Sequence, residues 1–165
     1  MTDSLRSIWE GTAVLSGAAL LALLLTIRYR PSATDLDGCE RTAQLFLIGL
    51  AAQCLHFTEE FVTRFYDRFP RLLDLPAWSG QFFVIFNLLW LCVWILSAIG
   101  LQRGYRIAFF PIWFFAIASL ANGIAHPVLS IVTGGYFPGL ITSPIVGLLG
   151  VLLLLRLLAL TTAAR

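Results

Sequence analysis

The sequence predicts an all-α fold, an integral membrane bundle of about five transmembrane helices, and three observations carry that reading. Apolar residues make up 59% of the chain and charged residues 12%, about half of the roughly 25% charged share of a soluble domain. Apolar runs long enough for spans of about 20 residues recur along the chain. The 165 residues allow four or five of them with short connections, as one transmembrane domain over 1–165. Most of the charge falls in the connections, and the few ionisable residues inside the runs are grouped.

In order, the first span is read at approximately 8–27, closed by Arg28-Tyr29-Arg30-Pro31, whose arginines anchor the helix end and whose proline cannot continue it. No small-residue cleavage pattern follows it, and the run is long for a signal peptide, so it is expected as a retained helix. The connection Pro31–Glu40 holds Ser32, Asp35, Asp37 and Gly38 and reads as a polar turn. The second span is read at approximately 41–62. Between Thr63 and Ser79, Arg64, Arg68 and Arg71 alternate with Phe65, Tyr66, Phe69 and Trp78, a mixture suited to the headgroup level as an interfacial connector or a lid. The third and fourth spans are read at approximately 81–101 and 105–131. Thr133-Gly134-Gly135-Tyr136-Phe137-Pro138-Gly139 forms a tight turn before a last span at approximately 144–160.

The candidate site starts from the second span. His56, Glu59 and Glu60 are spaced i, i+3 and i+4, one face of a helix. Intramembrane carboxylates and imidazoles cost roughly 3 kcal/mol or more each when charged, so they mark function. Gln53, one turn earlier, either orients the imidazole or hydrogen-bonds a neighbouring helix. The fourth span carries a polar stripe of Ser119, Asn122, His126 and Ser130, and Pro127 frees the carbonyl of Gly123 beside His126. Asn87 is the polar residue at depth in the third span, and interhelical hydrogen bonding accounts for it equally well. Counted from Arg41 and Arg106, His56 and His126 lie about 22 and 30 Å into their helices, at 1.5 Å per residue. Both fall in the same half of the membrane, which also receives Glu10 and the Tyr136 turn.

These pieces resemble the HXXEE domain family of small membrane proteins. The name-giving motif is His56-Phe57-Thr58-Glu59-Glu60, His126 resembles that family's second histidine, and Tyr136-Phe137-Pro138-Gly139 fits its Y-x-P-G motif. The resemblance implies site positions at His56, Glu59, Glu60, His126 and the turn, and a suggested catalytic role without a substrate.

Three function classes are compatible with these residues. Two histidines and two glutamates are ligand types of zinc and of non-haem iron or manganese. In that reading His56, His126 and one glutamate, Glu59, hold one divalent metal, and the other, Glu60, acts as base. Asn122, Gln53, Asn87 and Tyr136 are then supporting or substrate-binding positions. The second class is metal-free acid–base isomerisation or cyclisation of a lipid or isoprenoid, with the two carboxylates driven to different protonation states. The third is a proton, cation or small-ligand binding or transport protein. Membrane lipids are the expected partners. A net charge of +2 gives no reason to expect a nucleic acid. The thiols of Cys39, Cys54 and Cys92 write no disulfide or zinc pattern. With five spans, Arg6, Arg64, Arg68 and Arg71 share one side against Arg28, Arg30, Arg41, Arg103, Arg106, Arg156 and Arg165 on the other. That imbalance predicts the N-terminus outside and the C-terminus cytoplasmic, and the plasma membrane is the expected location.

Overall fold

The computed structural model describes residues 12–29 and 35–162, and within them every regular element is helical. Six α-helices follow one another: α1 (Ala13–Arg28), α2 (Leu36–Val62), α3 (Phe65–Leu72), α4 (Gly80–Gln102), α5 (Phe109–Val132) and α6 (Ser143–Thr162), with a 3-10 turn at Arg106–Ala108 leading into α5. Four segments are long and apolar enough to cross a membrane: Leu36–Val62, Gly80–Gln102, Arg106–Val132 and Ser143–Thr161. The fifth apolar helix, α1, is shorter over its described part; residues 8–11 of the expected first span, and Glu10 with them, lie outside the described residues.

The helix ends follow from local chemistry. α2 begins earlier than expected, inside what reads as a polar loop, because the Asp35 carboxylate accepts from the Gly38 N–H at 2.8 Å and caps the helix. Ser79 caps α4 in the same way, through the Phe82 N–H at 3.0 Å. After α2 the chain turns at Arg64, which adopts a left-handed φ of 64° and starts α3 directly. Pro127 does not end α5, which runs on to Val132. In lipid the freed carbonyl has no water to turn to, so neighbouring protein groups must accommodate it.

The packing is that of a membrane bundle. Large apolar side chains face outward on every long helix, among them Leu55 at 67%, Leu96 at 68% and Ile131 at 79% exposed, a surface suited to lipid. The α5 segment is the most buried of the four long helices, which makes it the central element. α5 packs closely on α6 because Gly123 and Gly147 face each other: a Cβ on Gly123 would lie 2.7 Å from the Gly147 Cα. Small residues at such a crossing let backbones meet, the usual device between membrane helices. Phe46, Phe109, Ile112, Trp113, Phe115, Leu153 and Leu157 fill the core toward the end where α5 begins. Toward the opposite end, where α2 and α5 finish, the interior is polar.

Candidate metal centre

That polar interior is built by α2, α5 and the connection between α5 and α6. His56 projects from α2 with no exposure, Glu60 follows one helical turn later at 7%, and His126 comes from α5 at 2%. The imidazoles meet edge to face, with centroids 4.8 Å apart and planes at 87°. One carboxylate oxygen, Glu60 Oε1, lies 3.5 Å from His56 Nε2 and 3.4 Å from His126 Nε2. The three groups offer ligand atoms within 4.8 Å of one another, the only such cluster among the described residues.

The other ring nitrogens are committed. His126 Nδ1 lies 2.5 Å from the Pro138 carbonyl oxygen. A carbonyl can only accept, so Nδ1 carries the proton and neutral His126 presents a lone pair at Nε2. His56 Nδ1 lies 2.8 Å from Thr142 Oγ1. The Thr142 hydroxyl donates its single proton to Glu59 Oε2 at 2.5 Å, so its oxygen accepts from His56 Nδ1–H. Both imidazoles therefore turn the lone pair of Nε2 toward Glu60. Nitrogen tautomers follow here from the hydrogen-bond partners. His56 Nε2 is buried without a hydrogen-bond partner among the described residues, and two nitrogen lone pairs beside a carboxylate oxygen form an arrangement of acceptors that only a cation or a proton satisfies.

Glu59 differs from the role expected for it. One residue along a helix is a rotation of about 100°, since 3.6 residues make a turn, so Glu59 and Glu60 leave α2 in different directions and Glu59 meets the α5–α6 connection. Its Oε1 accepts from the Tyr136 hydroxyl at 2.6 Å and the Ile141 N–H at 3.0 Å. Its Oε2 accepts from the Thr142 N–H at 2.9 Å as well as from the Thr142 hydroxyl. Four donors occupy the carboxylate, which makes it the anchor of the connection, while Glu60 is the carboxylate at the histidines. Burial, and then the bond to Glu59, raise the Tyr136 phenol above its ordinary pKa, so it stays a donor across the neutral range.

The Y-x-P-G stretch now has a physical reading. Tyr136 ties the connection to Glu59, Ser130 Oγ accepts from the Phe137 N–H at 3.1 Å, and Pro138 supplies the carbonyl for His126. Gly139 has φ +89°, and a Cβ there would stand 2.5 Å from the His126 ring and 2.9 Å from His56 Cε1. Only glycine fits between that backbone and the two imidazoles. Thr142 was not legible as a site residue. Its signal is weak, one of two adjacent hydroxyls in the Ile141-Thr142-Ser143-Pro144 break before α6.

A cavity of about 330 Å³ opens on this cluster, with Glu60 and His126 in its wall. Gln53 and Asn122, each about one helical turn before a cluster histidine, and Asn87 also line it, and Phe65, Phe69 and Trp78 cover the end nearest the cluster. Phe65 of α3 packs on His126 at a centroid distance of 5.5 Å and stacks on Phe69 at 4.9 Å. α3 thus roofs the cluster. The Asn87 amide donates to the Phe83 carbonyl of its own helix at 2.9 Å, so its nitrogen is used within α4.

Fold and cluster together define a small helical membrane protein with a buried His–Glu–His constellation. Residues 47–154 match the family described as proteins of unknown function with an HXXEE motif, and the chain belongs to it. No curated protein and no solved structure matches the chain.

Proposed function

We propose that this protein is a membrane-embedded, metal-dependent enzyme acting on a lipid-like or isoprenoid substrate, with His56, Glu60 and His126 holding one divalent ion. The observation that carries this reading is the pair of Nε2 lone pairs aimed at the Glu60 carboxylate while each Nδ1–H is held by the protein. Metal-ligating histidines almost always donate their other ring N–H to a carbonyl or carboxylate, directly or through a group between them, which fixes the tautomer. A tetrahedral ion with bonds of about 2.0–2.1 Å separates its ligand atoms by about 3.4 Å. The two Glu60–histidine distances, 3.4 and 3.5 Å, fit that edge. Two histidines and one carboxylate suit zinc with an open position, or iron or manganese. Such an ion supplies Lewis-acid polarisation of a substrate oxygen. The chain's own groups fix both imidazoles, keep one carboxylate unpaired by any donor, and exclude bulk water through the α3 roof.

Because four donors fill Glu59, it is read as the residue that positions the connection and, through Thr142, the His56 ring. The arginine imbalance supports an outward-facing site, since Arg64, Arg68 and Arg71 are outnumbered by the arginines at the other ends.

The test is metal retention. His56→Ala and His126→Ala, purified without chelator, should each lose most of the bound metal, because a set of three protein ligands does not tolerate losing one. Glu59→Gln should weaken retention by less than either histidine variant, because its amide nitrogen faces two donors and loosens the Thr142 hold on His56 while all three ligands remain. The second reading is metal-free proton transfer, favoured by the same 3.4 and 3.5 Å contacts if a proton is shared between Glu60 and an imidazole. In that case neither histidine variant changes the metal content, and both change the pH profile of turnover.

A further inference from the structure

We infer that the cavity is a binding shaft for one hydrocarbon chain, so that the substrate is a single-chain amphiphile carrying a hydroxyl or carboxyl group at the His56–Glu60–His126 cluster and its tail against Trp94 and Phe115. The inference rests on the metal reading only for what the polar end meets. Glu60 and His126 belong to both the cluster and the cavity wall, so a ligand in the shaft reaches the cluster without leaving it. From His126 to Phe115 the wall follows α5 for eleven residues, about 16 Å at 1.5 Å per residue.

Polarity changes along that length. Next to the cluster stand the amides of Gln53 and Asn122, which make no hydrogen bond within the described residues. At the deep end stand the aromatic rings of Trp90, Trp94, Phe114 and Phe115, whose faces form a floor for a tail. The volume of about 330 Å³ is at the lower end for a small-molecule site. It holds one chain of that length. The space exists because α5 presents Ala118, Ala121 and Ala125 to it, so one large side chain there closes the shaft while leaving all three cluster residues in place.

The test uses the full chain in phosphatidylcholine nanodiscs, since a detergent with a single alkyl chain is itself a candidate occupant. Terminally brominated dodecanol is titrated in, and quenching of tryptophan fluorescence reports arrival at Trp90 and Trp94. Saturable quenching is expected, competed by dodecanol or by farnesol. Equal competition identifies a generic fatty chain, and stronger competition by farnesol identifies an isoprenoid; either supports the shaft. Ala121→Phe should weaken the saturable part at least about tenfold, and Leu96→Phe on the lipid-facing surface should not. Should Ala121→Phe fail to fold, Ala118→Leu gives the same reading. Quenching that only follows bulk partitioning, or that survives in a folded filled variant, overturns the inference. Metal content of the same samples separates the two ideas. Metal-free protein that binds the chain retains the shaft and removes the metal reading, and metal-loaded protein that does not bind it does the reverse.

Discussion

Thr142 is the residue on which the cluster's chemistry turns, because it passes the direction of the Glu59 carboxylate to the His56 ring. Thr142→Val removes the acceptor, leaves a buried N–H unpaired at a cost of about 1–3 kcal/mol, and lets His56 place its proton at Nε2. Nitrogen NMR of the imidazoles should report the Nδ1–H tautomer in the wild type and a mixture in Thr142→Val. Metal affinity should fall about 10–100-fold. Thr142→Ser, which keeps the hydroxyl, should restore both, an outcome that a purely structural role would not require. Gly139→Ala should be worse tolerated, because left-handed backbone and overlap with two imidazoles combine. We expect a loss of at least about 2 kcal/mol in stability, read from the unfolding midpoint. The sequence made His56, Glu60 and His126 legible because ionisable side chains in apolar runs have few physical explanations. It gave no ground for assigning Glu59 to the metal and Glu60 to the base: both satisfy the same spacing, and what divides them is a connection about eighty residues away that presents four donors to Glu59.

At the scale of elements, the site depends on how closely α5 and α6 approach. Gly123 and Gly147 set that distance, and α6 in turn positions Thr142 at its start. Gly147→Leu should therefore push α6 away from α5, destabilise the bundle by about 1–3 kcal/mol or more, and release metal although no ligand is touched. Thermal unfolding and metal content measured together check this. A variant that unfolds earlier yet keeps its metal would uncouple the helix pair from the cluster. The spans were readable from composition, and their ends were less so. Asp35 shows why: an acidic residue in a polar stretch signals a loop and a helix cap equally, and the two differ only in whether a backbone N–H lies within reach. The arginines and aromatics of α3 lead to the expectation of an interfacial connector or a lid. Its place over His126 was not legible, because that follows from the left-handed turn at Arg64.

Across the described residues, exposed leucine and isoleucine form a surface suited to lipid, while the buried histidines and Glu60 lie near the end where α2 and α5 finish. Amide exchange in nanodiscs should follow that division, slow along α5 and faster in the connections. Placing cysteines at Arg68 and at Arg103 should give labelling by an impermeant reagent from outside only at position 68, if the arginine imbalance sets orientation. The most direct measurement is elemental analysis of the wild-type chain in nanodiscs, purified without chelator and then reconstituted separately with zinc, iron and manganese. About one tightly held ion per chain is expected for at least one of them, as a single site of three protein ligands requires. Well under one ion per chain with all three would contradict a metal centre at His56, Glu60 and His126.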